Sequence, residues 1–296
     1  MRLSAQDTQR FYRIWWPLLR YVNAKHHIVP DLPPLPGEGT LNGQDAHQIR
    51  EVLWASDALR EAFIADNPAG LPATDLALVA SWRERVAGRF FILRHLKKYS
   101  VFLAEEQPPK AYGVLGLVSP IQEIISSRAL PVLVQAVLLP FESKIIYDSL
   151  LVPYSVSFGS GIRRSLNEDY RQAQERGGVI TSLEPRSLED AQQAIRTSNR
   201  KVLEAFRKDL AASSVSFKMI EQHANTIETF TDVYLSACDP PRSLLDLNVD
   251  DLQRYRGGQG KNADLVSFKR LIRFLLNTGR IDWDNAETMQ NFLKQR

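Results

Sequence analysis

Residues 132–159, VLVQAVLLPFESKIIYDSLLVPYSVSFG, decide the fold class. Val, Ile, Leu, Tyr and Phe dominate them, and such side chains fit a pleated, half-buried surface better than a helix. Turn formers at 141–143 split the run into hairpin-length pieces. Upstream, RFFILRHLKKYSVFLAEE (89–106) and KAYGVLGLV (110–118) have the same character, separated by Gln107-Pro108-Pro109. The region from residue 88 onward is expected to form four to six short strands, mostly in hairpins, with a helix near residues 120–128. An antiparallel sheet with helices against one face is the expected product.

The flanks read as helical. Phe11, Ile14, Trp15, Leu18, Leu19 and Val22 recur at three- and four-residue spacing, predicting a helix over 7–27 with an interruption at Pro17. Residues 30–39, PDLPPLPGEG, are a loop, since proline removes backbone donors and fixes φ. A helix over 44–65 follows, then one from Thr74, where Thr74 and Asp75 resemble a cap. Residues 162–176 form another helix, closed by Gly177-Gly178. The polar stretch 187–210 is a connecting helix.

Beyond it the chain reads as a four-helix module. The first helix covers 216–235, a second starts at Asn248 as cap, and the last strong one covers 264–277. The expected class is therefore α+β: an α+β domain over 1–185 (helical over 1–87, antiparallel sheet over 88–185), a connecting helix over 186–212, and a helical module over 213–296.

Composition bounds function. At 296 residues, with 44% hydrophobic and 24% charged side chains, the chain is globular, and its net charge of +3 is too small to imply a polyanionic partner by itself. One cysteine, Cys238, excludes an internal disulfide and a cysteine-based zinc site. The five histidines have no metal-ligand spacing, so no metal or cofactor is expected. No segment approaches the roughly 20 apolar residues that span a bilayer, and residues 1–9 lack a secretory core. A cytoplasmic chain without membrane association is expected, its oligomeric state left open.

Several groups could carry chemistry. Glu142-Ser143-Lys144 is an E-x-K at a strand end, a pattern that holds Mg²⁺ in one class of nucleases when a second carboxylate stands beside it. The preceding strand offers none, and the alternative is a solvated hairpin turn. Asp148 lies in an apolar strand run; pointing inward it would need a partner, and otherwise it ends the strand in a turn with Ser149. Together Glu142, Lys144 and Asp148 are the candidate centre of a metal-dependent hydrolase. Gly159, Gly161, Arg163 and Arg164 form a glycine turn opening a helix, where backbone amides and guanidinium groups could take a phosphate. On the 264–277 helix, Leu265, Phe268, Leu271, Ile272, Leu275 and Leu276 form a core stripe, leaving Lys269, Arg270 and Arg273 outside, with Arg280 just beyond. A basic outer face suits nucleic-acid phosphates. Trp15, Trp16 and the PPLP segment would form the contact surface of a protein-interaction adaptor.

The stretches 226–235, 245–252 and 266–281 (VSFKRLIRFLLNTGRI) resemble the helical, SAM-like core-binding domain of tyrosine recombinases. That resemblance implies DNA contact through basic helix faces. The catalytic half of that family, with its arginines, His-x-x-Arg and tyrosine, has no counterpart, so strand exchange is excluded. FYRIWWPLLRYV (11–22), residues 82–102 and LLPFESKIIYD (138–148) are similar to a bacterial family with no assigned activity, implying a folded bacterial domain and no reaction. The resulting expectation is a non-enzymatic binding or regulatory protein contacting nucleic acid, with another protein as the other possible partner.

Overall fold

The apolar spacing over 7–27 becomes one helix, α1 (Ala5–His26), in a computed structural model that describes residues 1–30, 32, 43–184, 188–213, 215–238, 241–258 and 264–294. The Ser4 hydroxyl caps it by accepting from the Asp7 N–H, and His27 ends it in the left-handed conformation. Pro17 lies inside without ending it. All six apolar residues of the stripe are buried, each worth about 1.5–3 kcal/mol of transfer free energy.

The chain divides into two compact units, Met1–Tyr170 with Val179–Pro185, and Arg171–Gly178 with Arg186–Arg296. In the first, the expected helix over 44–65 is two: α2 (Gly43–Trp54) and α3 (Ala58–Asp66). The cause lies in Arg85. Its guanidinium stacks 4.9 Å from the Trp54 ring, donates to the Trp54 carbonyl at 3.4 Å, and pairs with Asp57 at 2.7 Å. A carbonyl that would continue the helix is satisfied from outside it. In α4 (Ala73–Ser81), Asp75 is no cap. It is buried and takes Arg10 at 2.8 Å and Arg13 at 2.6 Å, tying α4 to α1.

The strands are β1 (Val86–His95), β2 (Ser100–Ala104), β3 (Ala111–Val114), β4 (Val132–Phe141), β5 (Lys144–Tyr147), β6 (Val152–Pro153) and β7 (Val179–Ile180). A four-residue helix, α5 (Ile121–Ile124), stands between β3 and β4. The α+β class is as expected and most strand pairings are antiparallel, but two are not, which corrects a purely antiparallel sheet. β3 and β5 run parallel, and β1 pairs with both β2 and β4, so the order β1-β2-β3-β5-β4 returns to β1. This is a closed five-stranded Greek-key barrel of the OB type. β6 extends the wall at β4, and β7 runs parallel beside β3. Closure leaves β1 and β4 without free edges, which an open sheet would have to protect. Gly113 of β3 lies directly beneath the Tyr99 ring, where a Cβ would come within 2.8 Å of Tyr99 Cγ.

Helix α6 (Ser160–Arg176) follows the barrel strands. Its first part lies against β1: Arg94 donates to the Asn167 side-chain Oδ1 at 2.9 Å and stacks over Tyr170 at 4.9 Å.

The second unit contains α7 (Leu188–Ala212), α8 (Phe217–Thr229), α9 (Val249–Gly258), α10 (Asp264–Asn277) and α11 (Trp283–Lys294). The helix expected over 216–235 ends early. Phe230–Tyr234 widen into a π-turn, with the Leu235 N–H reaching back to the Phe230 carbonyl. Phe230 is buried edge-on against Phe268 (4.9 Å) and Tyr255 (5.0 Å), which accounts for the widening: the extra residue seats its ring in the core. Asn248 caps α9 as expected, accepting from the Asp251 N–H while the Asp251 carboxylate accepts from the Asn248 N–H. Among the described residues no helix is long and apolar enough to cross a membrane.

Candidate functional site

Helix α10 presents two unlike faces. Phe268, Leu271, Ile272 and Leu275 are buried in the core of the second unit, while Lys269, Arg270 and Arg273 stand exposed within one 100° arc. None of these three cations forms an ion pair or side-chain hydrogen bond among the described residues. Val266 completes the face at 50% exposure, and no acid occurs between residues 265 and 277. Behind this face His223 Nδ1 meets the Ser267 hydroxyl at 2.9 Å. Burial, and then the charge of Arg270, hold the His223 imidazole below its usual pKa range.

Arg280 does not join them. Helix α10 ends at Asn277, and Gly279 turns in the left-handed conformation (φ 65), redirecting the chain. Arg280 then grips Glu175 through Nε at 2.8 Å and Nη2 at 2.9 Å, and its side chain is 9% exposed. Stacking on Phe274 at 5.1 Å fixes it further. The expected four-cation cluster is thus three cations and one internal bidentate ion pair.

The hydrolase candidates are not brought together. Glu142 sits exposed at the hairpin corner with φ 52 and pairs with Arg10 at 2.8 Å. Lys144 pairs with Asp7 at 2.9 Å, which pulls the Asp7 carboxyl below its ordinary pKa. Both ends of the E-x-K therefore clamp the β4–β5 hairpin onto α1. Asp148 points inward and is fully closed off. It meets Arg50 Nε at 2.6 Å and accepts from Trp54 Nε1 at 2.9 Å. Burial pushes its carboxyl up to about 6, against the opposing pull of Arg50 and Trp54. Among the described residues no three His, Cys, Asp or Glu side chains converge on a point where a cation could sit.

The glycine turn at the start of α6 is committed elsewhere too. Arg163 bends back to donate to the Phe158 carbonyl at 3.0 Å and the Leu130 carbonyl at 2.9 Å. Arg164 is exposed, and a Cβ at Gly159 or Gly161 would meet nothing within 4 Å, so neither glycine is required for close approach. The face of β2 and β3, through which OB-type barrels take oligonucleotides, is buried in every residue but Ala104. The adjacent tryptophans separate: Trp15 is core, stacked 5.9 Å from Trp54, with its Nε1–H on the Ser149 hydroxyl. Trp16 instead lines an open apolar groove of about 840 Å³ with Tyr12, Pro17, Leu71 and Pro72. The PPLP segment at 33–36 lies outside the described residues.

One arrangement escapes a reading by composition. Arg196, Arg200 and Arg207 share a face of α7 and open into a cleft of about 430 Å³ against α8 and the π-turn. Their spacings of four and seven are the signal that could have found them. No protein-family model, curated protein or solved structure matches the chain.

Proposed function

We propose that the chain binds nucleic acid through its phosphate backbone, using Lys269, Arg270 and Arg273 on the outer face of α10. The observation that supports this reading is the state of those three side chains. They are exposed, adjacent on one helical face, and free of ion pairs among the described residues, whereas Arg280 is paired with Glu175. Three unneutralised cations on a rigid helix can each replace a condensed counterion on a polyanion, and the gain is independent of base sequence. Apart from Asn277 at its end the face carries no Asn or Gln to read adenine, and its three cations suit phosphate oxygens, so backbone contact is the mode proposed. The sequence resemblance over 266–281 would imply the same mode of contact.

The test is a mobility-shift titration at low salt with duplex and single-stranded DNA. The native chain should shift one or both. A Lys269→Ala/Arg270→Ala/Arg273→Ala variant, folded by its thermal melt, should lose the shift. Equal shifts from both proteins, or none from the native chain, would dispose of the proposal.

A further inference from the structure

Helix α7 carries Arg196, Asn199, Arg200, Leu203 and Arg207 at spacings that place them along a single face. That face forms one wall of the 430 Å³ cleft, and Glu228, Thr231 and Asp232 form the other. Leu203 and Thr231, both buried, close its floor. The opposite wall owes its position to the π-turn, which displaces Thr231 and Asp232 from where a regular α8 would put them.

The charged groups of the cleft divide into two sets. Arg207 bridges the walls, donating from Nη2 to Glu228 at 3.1 Å, and its Nε–H is buried without an acceptor among the described residues. Arg196 and Arg200 are exposed and make no ion pair or hydrogen bond among the described residues, although Glu204 lies one turn from Arg200. Asp232 and Glu204 are likewise exposed and unpaired there. Two free guanidinium groups one turn apart suit a group with several anionic oxygens, because each fork can donate twice. Free carboxylates nearby suit hydroxyl donors. Among the described residues the lining holds no aromatic ring on which a nucleobase could stack.

We propose that this cleft is a binding site for a small sugar phosphate, with the phosphate on Arg196 and Arg200 and the sugar hydroxyls on Asp232 and Glu204. Its volume lies within the range of small-molecule sites. The site is separate from the outer face of α10 and does not depend on nucleic-acid binding.

Isothermal titration of the full chain with ribose 5-phosphate, inorganic phosphate and ribose tests it. Ribose 5-phosphate should bind, inorganic phosphate more weakly, and ribose not measurably. Arg196→Ala and Arg200→Ala should each weaken ribose 5-phosphate by roughly ten-fold or more, as for loss of a charge-assisted hydrogen bond. Both residues are exposed and unpartnered, so the variants should melt as the native chain does. Asp232→Asn should weaken ribose 5-phosphate and leave inorganic phosphate unchanged. The Lys269→Ala/Arg270→Ala/Arg273→Ala variant should bind ribose 5-phosphate as the native chain does, which keeps this site distinct from the nucleic-acid face. No heat with ribose 5-phosphate at millimolar concentration would overturn the proposal. So would affinities unchanged in the Arg196 and Arg200 variants, equal affinities for ribose 5-phosphate and phosphate, or loss of binding in the α10 variant.

Discussion

Arg50 Nε lies 2.6 Å from Asp148 Oδ2, and both side chains are closed to solvent at 1% and 0% exposure. The pair joins α2 to the residue that follows β5, and so ties the helical layer to the barrel. Removing one partner of a buried pair strands a charge, whereas replacing both with apolar groups need not. Arg50→Met should lose about 3–5 kcal/mol of unfolding free energy at pH 7.5 in urea titrations. The double variant Arg50→Met/Asp148→Leu should recover most of that loss; a double variant as unstable as the single one would show that packing, not charge, sets the effect.

The same carboxylate makes stability depend on pH. Folding raises the Asp148 pKa from 3.8 to about 6, so between those values the folded chain holds a proton that the unfolded chain has released. Stability from this group therefore falls as pH rises from about 4 to about 6, a change of about 3 kcal/mol, and is flat above. Asp148→Asn should remove that slope. An unchanged slope in Asp148→Asn, measured at pH 4.5 and 7.5, would place the titration elsewhere.

Tyr99 and Gly113 give a steric test of the barrel. Gly113→Ala forces a methyl into the Tyr99 ring and should cost about 1–3 kcal/mol, the range of an overpacked core. In a Tyr99→Ala background the same substitution should cost far less. Additive effects of the two substitutions would contradict the contact.

Arg280 and Arg273 should separate stability from binding. Arg280→Ala breaks a partly buried bidentate pair and should destabilise the second unit by about 1.5–3 kcal/mol. Arg273→Ala, exposed and unpaired, should stay within about 0.5 kcal/mol. DNA affinity should respond in the reverse order: weakened by Arg273→Ala, unchanged in the folded Arg280→Ala protein.

The local elements were legible because they rest on local physics. The stripe from Phe11 to Val22 gave α1 from its spacing alone, and Asn248 was readable as a cap from its chemistry and the acids after it. What sequence concealed was long-range. Nothing near Trp54 announces that Arg85, 31 residues on, will satisfy its carbonyl and break the helix. Likewise β3 and β5 are expected to be hairpin partners of their neighbours, and their parallel pairing at Val114 and Ile145 exists only because the barrel closes. For the candidate site, the inside and outside of α10 followed from periodicity. The loss of Arg280 did not, since its partner Glu175 lies 105 positions away. Glu142 and Lys144 looked like a reactive pair for the same reason: their counterions, Arg10 and Asp7, belong to the first helix.

The nucleic-acid reading turns on the number of phosphates that α10 neutralises, and the salt dependence of DNA affinity counts them. With three contacts the slope of log K against log salt should be about −2.7 on duplex DNA, and Arg273→Ala should make it shallower by about 0.9. A native slope near zero, or one that Lys269→Ala, Arg270→Ala and Arg273→Ala all leave unaltered, would contradict phosphate contact by this helix.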